Sequence, residues 1–300
     1  MSRARILLTV LAVTVGLALA PAGARAAPDI SAYRGPGAWI DIFDRSLLLH
    51  PESTVAALSA HGVKTLYLET GNHYALPRSA DLAHPGATAR LIDAAHASGI
   101  RVVAWYLPGF ADLRTDLRRS LAAIRLITPA GQRFDSFALD IEASLVRPIA
   151  ARNRRLMSLS RSIRGIVGPT YPLGAIVPDN VSTTLLNGLW PFFPYAAVAR
   201  VYDVFLPMSY STNRSHNAAF VYRYTRANME LIRARSGRPL MPIHVIGGLA
   251  NRMASGEDSA VIRAARDGGA IGASFYKVRW SDAGEWAALN TCPFPAACPP

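Results

Sequence analysis

Along most of this chain, short runs of apolar residues alternate with longer stretches whose apolar residues fall at helical spacing. The short runs read as strands: Trp39–Phe43, Thr65–Glu69, Arg101–Leu107, Phe134–Glu142, Leu173–Val177, one within Tyr202–Tyr210, Met241–Gly247 and Gly272–Tyr276. The longer stretches predict helices from Glu52 to His61, Gly86 to Ser98, Asp112 to Ile127, Arg147 to Val167, about Asn217 to Ser236, about Ser255 to Arg266, and a last short one from Asp282 to Leu289. Gly62, Gly99 and Gly268-Gly269 stand where helices should stop, and Pro108-Gly109 breaks the third strand. Eight strand–helix alternations in about 260 residues are the count and size of a closed (β/α)8 barrel. The strands are apolar nearly throughout, as parallel strands covered on both faces should be. An open doubly wound sheet would carry a Gly-rich phosphate turn after an early strand, and none is present. The expected fold class is therefore α/β, a single TIM barrel over residues 27–290.

The fourth run, Phe134–Glu142, reads Phe-Asp-Ser-Phe-Ala-Leu-Asp-Ile-Glu. Alternation puts Phe137, Leu139 and Ile141 on one face and Ser136, Ala138, Asp140 and Glu142 on the other. Asp140 and Glu142 are then side by side, about 7 Å apart at the backbone, at the end of the strand where barrels assemble their chemistry. The same mouth should collect Asp41, Asp44, Glu69, Tyr106, Asp179, Tyr210, His244 and Tyr276. Paired carboxylates among aromatic rings suit sugar chemistry, because rings stack on sugar faces and two acids divide the proton transfers. Close carboxylates repel when both are charged, so one holds its proton to higher pH. Glu142, longer and further along, is the expected general acid, and Asp140 the group that orients or stabilises positive charge.

Other residues carry competing readings. Glu69 faces the mouth or pairs with Lys277 or an arginine. His244 sits early in its strand, which suits a satisfied core histidine. Trp190, Phe192, Phe193 and Tyr195, in the long loop after the fifth strand, form a sugar platform or else a hydrophobic lid.

The fourth strand resembles the active-site strand of family 18 glycoside hydrolases, the chitinase-like barrels, whose motif is Asp-Gly-x-Asp-x-Asp-x-Glu. Asp135, Asp140 and Glu142 match its first, third and last acids; Ser136 replaces the glycine and Ala138 the middle aspartate. Met208-Ser209-Tyr210 matches that family's Met-x-Tyr-Asp on strand six, with Ser211 in place of the acid, and Trp280 is a loose match to a Trp closing strand eight. The resemblance implies Glu142 as proton donor, Asp140 positioning an acetamido group of the substrate, Tyr210 assisting, and no cofactor. The Asp-x-Glu is also similar to that of family 25 lysozyme-type barrels. Two function classes follow: a hydrolase of a polysaccharide or cell-wall glycan through Glu142, Asp140 and Tyr210, with Asp41, Glu69, Tyr106, Asp179, Met208, Tyr276 and Trp280 as substrate contacts; or a carbohydrate-binding barrel without turnover, which Ala138 and Ser211 favour.

Composition narrows the setting. The 300 residues carry 32 basic against 20 acidic side chains, a formal charge of +12, yet basic residues never run beyond pairs. That argues against a nucleic-acid partner, which needs a clustered basic stripe. Arg3 and Arg5, an apolar run from Ile6 to Ala20 and Ala24-Arg25-Ala26 read as a secretory signal peptide over residues 1–26, too short in its apolar run for a stable membrane span. An exported protein follows, extracellular or wall-associated. Its two cysteines, Cys292 and Cys298, are expected to pair in the tail 291–300. No His neighbours them, and no metal site is expected.

Overall fold

The computed structural model describes residues 27–185, 188–291 and 294. Residues 1–26, expected as a signal peptide, and both cysteines lie outside the described residues. Eight strands alternate with helices: β1 Gly35–Ile40, β2 Thr65–Asn72, β3 Arg101–Leu107, β4 Ser136–Asp140, β5 Leu173–Val177, β6 Val204–Pro207, β7 His244–Leu249 and β8 Gly272–Tyr276. Every ladder is parallel, in the order β6-β5-β4-β3-β2-β1-β8-β7. Two single bridges, Phe205 to Ile243 and Met208 to Ile246, join β6 to β7 and nearly close the cylinder. The fold is a TIM barrel.

β3, β5 and β8 have the bounds that the apolar pattern predicts. β1 begins four residues before the expected Trp39, inside Gly-Pro-Gly, which as sequence looks like a breaker. Close packing explains the glycines. A Cβ on Gly37 would stand 2.7 Å from the Tyr67 ring, and one on Gly272, the neighbour of Gly35 across the seam to β8, 2.4 Å from His244 Nδ1. The β4 ladder stops at Asp140, but the Ile141 amide still donates to the Ile176 carbonyl at 2.9 Å, so Glu142 continues the strand's direction.

Helix boundaries follow local chemistry. Asp112 accepts the amides of Arg114 and Thr115 to start the helix Leu113–Arg125. Asn217 accepts the Phe220 amide to start Ala218–Ser236, which Gly237 ends at φ 68°. Asp282 and Glu285 cap each other's amides at the head of Ala283–Asn290. Each such cap stabilises its helix by about 1 kcal/mol.

Two apolar layers result from the alternation. Phe137, Leu139 and Ile141 pack outward against the helices, whereas Trp39, Tyr67, Val103, Trp105 and Ala138 fill the barrel. Below them Tyr33 plugs the lower end, its hydroxyl 2.6 Å from Ser136 Oγ and donating to the Phe137 carbonyl at 3.1 Å. His244 is a core residue. Its Nδ1 donates to the Tyr33 carbonyl at 2.9 Å, and its Nε2 lies 3.0 Å from Ser274 Oγ, which also accepts Trp39 Nε1 at 2.7 Å. Burial holds the imidazole neutral, its pKa pushed down to about 4.

Candidate active site

Above this plug the barrel opens into a hollow of about 180 Å³ at the C-terminal ends of the strands. Four carboxylates line it: Asp41 after β1, Glu69 on β2, Asp140 at the end of β4 and Glu142 beyond it. They differ in how they are held. Glu69 accepts the Ile42 amide and Asn72 Nδ2, each at 3.0 Å. Asp41 accepts the Phe43 amide at 2.9 Å, the Tyr276 hydroxyl at 3.0 Å and the Lys277 ammonium at 2.5 Å. The same ammonium lies 2.9 Å from Asp44, which sits behind the wall. Asp140, 6% exposed, has an Oδ1 with no hydrogen-bond partner.

Electrostatics separate the acids further. Burial, then the charges of Glu142 and Glu69, drive the Asp140 carboxyl well above its ordinary range. Burial raises Glu142 as well. Glu69 is pushed up to about 7, again by burial, although its two hydrogen bonds oppose the shift. Carboxyls in so dry a place give up charge before they give up burial. A protonated acid beside a second carboxyl is the arrangement that proton donation to a leaving oxygen requires.

Aromatic side chains make up much of the remaining wall. Trp39 stacks on Tyr67 at 4.2 Å and 9° to form the floor, with Trp105 edge-on at 5.9 Å. Tyr210 and Tyr276 stand together, ring centroids 6.4 Å apart. At the rim Phe43 and Tyr74 lie nearly parallel, 12° apart in plane, and are 53% and 64% exposed. Trp39, Phe43, Tyr74 and Trp105 were not among the expected contacts. Alternation signals part of this set, because Trp39, Asp41 and Phe43 are two residues apart, as are Trp105 and Leu107.

Several expected contacts lie elsewhere. Tyr106 does not reach the hollow: it occupies the outward face of β3, and its hydroxyl donates to Asp116 at 2.8 Å. β3 is apolar on both faces, so composition could not say which aromatic turns inward. Asp179 lines a second hollow beside the first. Trp280 stands behind the wall, edge-on to Tyr276 at 5.9 Å and 4.9 Å from the Lys277 ammonium. Lys277 pairs with Asp41 and Asp44, not with Glu69. The loop expected as either a sugar platform or a hydrophobic lid is packed as a lid: Trp190 is fully covered and packs edge-on with Phe110 and Phe193, while Phe192 alone of its four aromatic residues is exposed, at 85%. Met208, Tyr210 and Tyr276 line the first hollow. Among the described residues no group of three or more His, Cys, Asp or Glu could hold a metal ion, and no helix is long and apolar enough to cross a membrane.

No protein-family model and no curated protein matches this sequence. Solved structures do match its fold. The endo-β-1,4-mannanase of Thermotoga petrophila superposes with a TM-score of 0.62 at 10% identity, over 88% of this chain and 77% of the mannanase. A class V chitinase from Pseudomonas fluorescens gives 0.59 at 14% identity, over 85% of this chain and 98% of the other. The spore cortex-lytic enzyme SleL of Bacillus cereus gives 0.59 at 11% identity, over 85% and 73%. The chain has the fold of glycoside hydrolase barrels. These similarities extend to the architecture, and the roles of individual side chains rest on the geometry above.

Proposed function

We propose that this chain is an exported glycoside hydrolase acting on a polysaccharide or cell-wall glycan. The observation that carries the reading is the pair Asp140 and Glu142: raised carboxyls at the end of β4 and two residues beyond it, one with an unpartnered oxygen, both lining an aromatic hollow. The glycoside-hydrolase fold of the structural neighbours supports it. Glu142 donates its proton to the glycosidic oxygen as the C1–O bond breaks, and the leaving sugar departs as an alcohol. Asp140 stabilises the positive charge developing at C1, directly or through an acetamido group that it orients. Tyr210, on the same wall, positions the reacting unit. Water adds at C1 and its proton returns to Glu142. Export rests on the sequence of residues 1–26. Turnover of chitin oligomers and peptidoglycan by wild type and Glu142→Gln tests the reading: hydrolysis by wild type, reduced at least ~100-fold in the variant, is expected.

A second reading, sugar binding without turnover, draws on Ala138, a buried methyl where the resembling strand carries an acid. Saccharide binding with no hydrolysis by either protein would establish it.

A further inference from the structure

A second hollow, also about 180 Å³, adjoins the first between the loops that follow β5 and β6. Glu142, Met208 and Tyr210 line both. The expected proton donor thus stands on the partition between two chambers, where a bond spanning them would be protonated. Asp140 lines the first chamber only, so the unit whose C1 gains positive charge belongs there and the leaving unit belongs in the second.

The chambers differ in charge. The first holds four carboxylates, and the Lys277 ammonium beneath them is committed to Asp41 and Asp44. The second holds Asp179 and Arg214 besides Glu142. Asp179 is already satisfied within the fold: Oδ1 accepts the Ser182 amide at 3.1 Å and Oδ2 accepts the Tyr224 hydroxyl. Arg214 is held more loosely. Its Nε donates to the Tyr224 hydroxyl at 3.3 Å, and its Nη2 forms an ion pair with Asp179 at 3.5 Å. Its side chain is 36% exposed, and Nη1 has no partner among the described residues. The cation in this chamber is a partly exposed guanidinium fork, the shape that binds a carboxylate through two parallel hydrogen bonds.

Resting on the hydrolase reading, we infer that the substrate joins a neutral sugar to a carboxylate-bearing sugar. The neutral unit occupies the first chamber, and the acidic unit leaves from the second, held by Arg214. The first chamber offers a carboxylate no free cation, because Lys277 is committed to Asp41 and Asp44, whereas Arg214 lines the second. The acidic unit is a uronic acid or a lactyl-ether sugar; both present the same planar anion.

The test is calorimetric binding of three tetrasaccharides to the full chain: chitotetraose, which is neutral throughout; a hyaluronan fragment, in which a uronic acid alternates with an amino sugar; and a peptidoglycan glycan fragment bearing lactyl carboxylates. One acidic ligand should bind roughly tenfold more tightly than chitotetraose, and Arg214→Gln should collapse that ratio while Arg214→Lys keeps part of it. Which acidic ligand wins distinguishes the two sources. Equal affinities, a preference for chitotetraose, or a preference that survives Arg214→Gln would overturn the inference and leave the hydrolase reading standing. If no saccharide binds wild type, both fall. Circular dichroism of each variant verifies that it is folded.

Discussion

The Lys277 ammonium sits 2.5 Å from Asp41 Oδ2, with both side chains less than a tenth exposed. Lys277 immediately follows β8 and Asp41 immediately follows β1, so this pair fastens the ends of two adjacent strands under the rim of the hollow. Removing one member strands a charge. Lys277→Met should cost about 3 kcal/mol of unfolding free energy, read from the denaturant midpoint. Adding Asp41→Asn should cost less than the two single changes together, because the second substitution removes one of the two carboxylates, Asp41 and Asp44, that the first leaves without their cation. Additive costs would mean that the pair is not coupled.

Stability should peak on the acid side of neutrality. Glu69 has a folded value of about 7 against an ordinary 4.5, so the folded form binds its proton more tightly than the unfolded chain does. That contribution is complete below the unfolded value and is lost as pH rises through about 7. Asp140, Glu142, Asp116 and Asp179, all raised by burial, act in the same direction. So does His96, raised chiefly by its hydrogen bond to Asp135. Asp135 is lowered: burial opposes the shift, but bonds from His96, the Val102 amide and Arg101 outweigh it, and its contribution is lost as pH falls through its folded value. His244, buried neutral with its pKa at about 4, opposes them as pH falls below the ordinary histidine value, so thermal unfolding should show a midpoint only roughly 3 °C higher near pH 5 than near pH 8. A flat profile would contradict the assignment of these protons.

Turnover should fall with rising pH for a separate reason. Glu142 must carry a proton to act as acid, and burial allows it to do so above the ordinary carboxylate range. The alkaline limb of kcat/KM should therefore lie above that range in wild type and vanish with the residual activity of Glu142→Gln. A limb at the ordinary glutamate value would place the donor elsewhere.

Phe43 and Tyr74 offer exposed, nearly parallel ring faces at the rim. Tyr74→Ala should weaken saccharide binding about fivefold while shifting the thermal midpoint by less than about 2 °C, because a half-exposed side chain contributes little to the core. Unchanged affinity would remove the pair from the binding surface.

The barrel and its acid pair were legible in the sequence because β4 sorts by polarity. Its outward residues are bulky and apolar and its inward ones small or acidic, so alternation settles which way Asp140 and Glu142 face. β3 offers no such contrast: Trp105 and Tyr106 are adjacent and both aromatic, and only the ladder reveals that Trp105 turns inward. The Trp190 loop misleads for a related reason, since a ring that stacks on sugar and a ring that seals a helix look alike in composition. Lys277 finds Asp41 and Asp44 across the β1–β8 seam, a contact made by ring closure between the two ends of the chain.

The stacked floor of Trp39 on Tyr67, with Tyr33 below, closes the barrel beneath the site. A long polymer cannot thread along the cylinder axis; it must lie across the rim and dip one unit inward. On the proposed hydrolase reading, ligand, attacking water and departing fragments all pass on the rim side of that floor, so clearance of the spent sugar is bound into every cycle.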